Sequence, residues 1–97
     1  EGFATGLSIR RALKAVRTRY TIHVCFSAHN IKHMATIYPD CVIVADNDEV
    51  GIRVAQEAGR PFWVSPNLGE DFNDYETRVG KEVAGKSLTA LCREASA

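Results

Sequence analysis

Apolar and polar positions alternate between two periods along the chain. Ile9, Ala12, Leu13, Val16 and Tyr20 fall at i, i+3, i+4, i+7 and i+11, the stripe of one buried helix face, and predict a helix over 5–19. Residues 21–26 are β-branched and aromatic and read as a strand. Ser27 suits a helix N-cap, and Ile31, Met34, Ala35 and Tyr38 then share a face until Pro39 stops the helix. The aliphatic run 41–45 reads as a second strand. Asp48 can cap a third helix, with Val50, Val54 and Ala58 inward and Gly59 at its C-terminal end. Residues 61–65 form a short strand and 66–71 a loop, and 73–79 and 81–95 read as two helical segments interrupted at Gly80.

Helices and strands therefore alternate, which implies crossover connections and an α/β fold: a mostly parallel sheet with helices on both faces. No repeat, linker or low-complexity tract divides residues 1–97, so a single domain is expected. Glu1-Gly2 stands where a strand should just have ended. The chain reads as a piece of a larger protein whose first strand is truncated.

Composition narrows the class. A hydrophobic content of 45% and a charged content of 25% are those of an ordinary globular protein. No apolar run approaches the ~18 residues of a membrane span, and no signal-peptide pattern opens the chain. Cys25, Cys41 and Cys92 are odd in number and widely spaced, which suggests neither a disulfide framework nor a zinc knuckle and fits a reducing, cytoplasmic setting. Zero net charge hides a separation: residues 1–38 carry six Lys/Arg and one acid, and residues 39–97 carry six Lys/Arg and eleven acids. That asymmetry suits a basic nucleic-acid face beside an acidic cation pocket, or simply a solvated helix face beside surface acids.

The most informative stretch follows the second strand: Asp46-Asn47-Asp48-Glu49-Val50-Gly51. Ligands of open α/β sheets gather at the carboxyl ends of strands. Two carboxylates at i, i+2 there repel each other, and a hard cation such as Mg2+ relieves the repulsion. The plain alternative is a capped turn, with Asp48 as N-cap. Asp71-Phe72-Asn73-Asp74 offers further acids or, equally, a capped helix start with Phe72 in the core. A glycine at position 51 admits a phosphate to a helix N-terminus or lets helix and sheet pack closely. Arg10, Arg11 and Lys14, with Arg17 and Arg19, suit a phosphate backbone or a solvated face. His29 and His33 are spaced i, i+4 but lack a third zinc ligand, and His23 reads as a half-buried packing residue.

Taken in order, Glu1-Gly2 opening a helix, Asp46-Asn47-Asp48 with Gly51 after a strand, and Gly69-Glu70-Asp71-Phe72-Asn73-Asp74 after a later strand resemble the Toprim fold, most of all the module of phage- and plasmid-type primases and primase-helicases. The resemblance spans roughly residues 1–80. It implies a three-layer Rossmann-like sandwich and Mg2+- or Mn2+-dependent phosphoryl transfer on nucleic acids. By resemblance, Glu1, Asp46 and Asp48 are the catalytic carboxylates, and these three with Asp71 and Asp74 form the metal set. Gly51, Arg10, Arg11 and Lys14 would meet phosphate. Many primases place an aspartate four residues after the glutamate; this chain has Thr5, which points to the phage and plasmid branch. Implied partners are a DNA template, nucleoside triphosphates and other domains of a parent primase or helicase, without which the piece is expected to be inactive; no membrane is implied. A metal-dependent nuclease and a non-catalytic interaction module are the alternatives. A receiver-like signalling domain would need a lysine near the last strand, and residues 61–66 have none.

Overall fold

A computed structural model describes residues 2–18, 20–25 and 27–96. Helix α1 spans Gly2–Ala15. Helix α2, Ala28–Ile37, starts at Ser27, whose hydroxyl accepts from the Asn30 amide as the capping reading expects. Strand β1, Ile43–Val44, leads through α3, Glu49–Ala58, to strand β2, Phe62–Trp63. Asp48 caps α3 and Gly59 ends it in the left-handed region. Helices α4, Phe72–Val79, and α5, Lys81–Ser96, are separated by Gly80, whose φ of 93° is open to glycine and costly for any side chain.

β1 and β2 pair in parallel, Ile43 opposite Phe62 and Val44 opposite Trp63, as a βαβ unit about α3. Two-residue side-chain alternation divides the core between the two sheet faces. Trp63 joins Ile9, Ala12 and Leu13 of α1, Phe72 and Tyr75 of α4, and Ala84, Leu88 and Cys92 of α5, with Val42 and Val44 against them. On the other face Ile43 and Ala45 pack with Ala55 of α3, bordered by Ile31, Phe62 and Val64. Trp63 meets Phe72 and Tyr75 edge-on, with ring centroids 4.9 and 5.0 Å apart, and its indole N–H donates to Ser87 Oγ at 3.0 Å. The aromatic edges and the satisfied N–H make this the best-specified part of the core.

The fold is thus Rossmann-like α/β, but the sheet holds only two strands among the described residues, short of a full three-layer sandwich. The strand expected over 21–26 is absent from the described part of that segment, and Phe26 lies outside the described residues. The alternation behind that expectation is real: Ile22 packs on the larger core, and Val24 lies against Gly6. A strand also needs a neighbouring backbone ~4.8 Å away. Here the described sheet pairs only β1 with β2, and residues 20–25 instead line a cavity of about 820 Å3 together with residues of α1, α2, β1, α3 and α5. His23, expected in that strand as a half-buried residue, is instead exposed and stacked on Tyr38 at 4.7 Å. Among the described residues no helix is long and apolar enough to cross a membrane.

Candidate functional site

The chain leaves β1 at Ala45 and turns sharply into α3. The Asp48 amide donates to the Asp46 carbonyl at 2.9 Å, and Asp48 Oδ1 accepts from the Gly51 amide at 2.6 Å. The turn is so tight that a Cβ on residue 51 would lie 2.6 Å from the Asp46 carbonyl oxygen and 3.1 Å from Asp48 Oδ1. Glycine at 51 is therefore required by the close approach of α3 to the end of β1. Asp46 and Asp48 are both exposed, and both line the cavity, together with Gly51, Asp71 and the first turns of α1 at Thr5 and Gly6.

Asp71 and Asp74 sit at the start of α4 and form a capping box. Asp71 Oδ1 accepts from the Asp74 amide at 2.8 Å, and Asp74 Oδ2 accepts from the Asp71 amide at 3.2 Å. Asp71 is half-buried at the cavity and Asp74 exposed. Phe72 is fully buried, the packing role the sequence suggested. Glu1, the remaining carboxylate of the expected set, lies outside the described residues, as does Arg19.

The basic positions of α1 have different fates. Arg10 and Lys14 are exposed. Arg11 reaches across to α4, where its guanidinium donates to both Glu76 carboxylate oxygens at 2.7 and 2.9 Å and to Ser8 Oγ at 3.1 Å. Ser8 in turn hydrogen-bonds Asn73 Oδ1. Glu76 is 7% exposed, and the Arg11 partner holds its carboxyl below the usual carboxylate range. The pair ties α1 to α4 next to the capping box.

A second network escaped sequence reasoning. Asn47, between the two aspartates, donates its backbone N–H to the Glu70 carbonyl at 3.2 Å and accepts from the Gly69 amide at 2.6 Å. Its side-chain Nδ2 donates to the Ser65 carbonyl at 2.7 Å. Beneath it, buried Ser65 donates its hydroxyl to the Glu70 carboxylate and accepts from the Asn67 amide at 3.1 Å. Arg78 of α4 grips the same carboxylate with two bonds, 2.9 and 3.0 Å. The Arg78 hydrogen bonds, then that of Ser65, push the Glu70 carboxyl down to about 2. Asn47 is flanked by aspartates and Glu70 precedes one, but nothing in either block marks its partners, which come from β2 onward and from the end of α4.

The donor set fits a hard cation of modest demands. Among the described residues no three His, Cys, Asp or Glu side chains come together to hold a metal ion. Mg2+ does not require three: it retains several waters and is bound through one or two carboxylates plus phosphate oxygens. Asp46 and Asp48 supply hard oxygens at the strand end, in a turn that glycine at 51 allows to close tightly. The exposed His29 and His33 rings on α2 lie parallel with centroids 6.5 Å apart, far from the ligand count of a structural zinc site. No disulfide joins Cys25, Cys41 and Cys92.

A family model described as Toprim domain matches residues 1–82. No curated protein and no solved structure matches the chain.

Proposed function

The chain belongs to the Toprim domain family, and from that premise we propose that it is the Mg2+-dependent nucleotidyl-transfer domain of a DNA primase of the phage and plasmid type, making RNA primers within a larger cytoplasmic protein. Toprim domains are metal-binding domains found in primases, topoisomerases and nucleases. The observation that supports a phosphoryl-transfer role here is the pair of exposed aspartates, Asp46 and Asp48, at the end of β1, on a cavity also lined by the first turns of α1.

In this reading Asp46 and Asp48 hold the cation, Glu1 completes the set, and Asp71 and Asp74 supply the acidic rim. Bound there, Mg2+ or Mn2+ neutralises charge on phosphate oxygens. The protein's own contribution is positional. Gly51 lets the first turn of α3 close against the Asp46 carbonyl, which sets the paired aspartates at a helix N-terminus, a natural anion site. Exposed Arg10 and Lys14 of α1 attract the polyanionic strand, and Arg11 stiffens the α1–α4 junction through Glu76. Template, nucleoside triphosphates and neighbouring domains of the parent primase or helicase are the partners this reading requires.

A Mg2+ titration followed by amide NMR tests it. Shifts centred on Asp46, Asp48 and Gly51, abolished by Asp46→Asn, are expected. A flat response at those residues ends the metal reading. In the parent protein, metal-dependent nucleotide incorporation is expected; cleavage of nucleic acid without incorporation would assign a nuclease instead.

A further inference from the structure

We propose that Asn47 is a positioning residue whose side-chain amide latches the turn bearing Asp46 and Asp48 to the loop that ends at Asp71. The proposal deepens the metal-site reading and rests on it.

Two loops carry the acids, and they come from distant parts of the sequence. The paired strands bring the two loops side by side, the last bond between them running from the Ala45 amide to the Trp63 carbonyl at 2.9 Å, but beyond that point the strands no longer hold the loops. Asn47 joins them with three hydrogen bonds, to Ser65, Gly69 and Glu70. Two are backbone bonds, open to any residue other than proline at 47. The third requires a side-chain donor of one length: Nδ2 reaches the Ser65 carbonyl at 2.7 Å. Aspartate at 47 would aim an acceptor at that carbonyl and add a third negative charge to the turn. Alanine would leave the bond unmade.

The receiving loop is itself rigid, which gives the latch something to hold. Ser65 is 1% exposed and bonds both Asn67 and Glu70, and Arg78 fixes Glu70 from α4. Positional information therefore runs from α4 through Glu70 and Ser65 to Asn47, and from there to the aspartates on either side. Mg2+ tolerates little departure from octahedral geometry, so a loose turn lowers affinity even when every carboxylate is retained. Residues that orient metal ligands from behind typically change affinity by about 10–100-fold when replaced.

The test is a Mn2+ titration of the full chain by amide NMR, using the paramagnetic ion as probe. In the unmodified chain, amides of residues 46–51 and of 69–72 should broaden together over one range of Mn2+. In Asn47→Ala, broadening of 46–51 should need about tenfold more Mn2+, and residues 69–72 should fall out of step. Both groups broadening at the original Mn2+ concentration, with only the urea midpoint lowered, would reduce Asn47 to a structural role and overturn the proposal. Should Asn47→Ala fail to fold, the unmodified chain still decides. Mg2+ binding should slow hydrogen exchange of the Gly69 amide, because coupling between cation and latch is reciprocal. Unchanged Gly69 exchange with Mg2+ bound at 46–51 overturns the latch alone. Absence of any response at 46–51 overturns the metal reading and the latch with it.

Discussion

Two acidic turns in this molecule begin helices in the same way and finish differently. Before α3 and before α4 an aspartate caps the helix and accepts from the amide three residues on, Gly51 in one case and Asp74 in the other. At α4 the third residue carries a carboxylate, which returns to the cap's own amide and closes a reciprocal box. At α3 the third residue is glycine, and the cap's amide goes instead to the Asp46 carbonyl. The first helical residue differs too: Phe72 is fully buried, and Glu49 is exposed. One turn is locked by its own side chains and an aromatic anchor. The other is tight in its backbone, open at its surface, and steadied from outside by Asn47. The same first capping bond thus closes into a reciprocal box at one site and leaves a pair of exposed carboxylates at a strand end at the other.

Removing the anchor should break the contrast most severely. Phe72→Ala empties a fully buried position against Trp63 and should cost ~3–5 kcal/mol in urea unfolding. A loss under ~1 kcal/mol would mean the aromatic cluster is not the organising core of that face. The caps come next. Asp48→Ala and Asp71→Ala should each cost about 1 kcal/mol, with the Asp71 change the larger because it dismantles a two-bond box. Equal losses, or a larger one at Asp48, would show that reciprocity adds nothing.

The smallest effect concerns acid. Glu70 has its carboxyl lowered from 4.5 to about 2, chiefly by Arg78. A depressed carboxyl contributes stability above its unfolded value and loses it as pH falls towards its folded value. Arg78→Met should therefore lower the urea midpoint at neutral pH, and the gap from the unmodified chain should narrow as pH drops from about 4.5 to about 2. A gap constant across that window would remove the ion pair as its cause.

Much of this architecture was legible because it is local. Ser27, Asp48 and Gly59 announce helix ends through rules that span four residues, and the structure uses each as read. The i, i+3, i+4 stripe of α1 likewise places Ile9, Ala12 and Leu13 in the core. Residues 21–26 misled because alternation reports which way side chains face and says nothing of whether a backbone partner is in reach. Asp71 and Asp74 admitted two readings at an i, i+3 spacing, and in the structure they form a capping box. The Asn47–Ser65–Glu70–Arg78 network could not be read at all. Its members are brought together by the βαβ crossover and the turn into α4, and no short-range pattern marks them.

The matched family region ends at residue 82, the second residue of α5. Yet Ala84, Leu88 and Cys92 from the remainder of that helix fill the larger core, and Gly85 packs against the Ala12 backbone so closely that no methyl group fits between them. The matched region is thus shorter than the set of residues that fills the larger core. Cutting the polypeptide at the border of similarity would strip the cover from Trp63 and α1, leaving a sticky, half-formed particle with its acidic turns intact in sequence and unsupported in space.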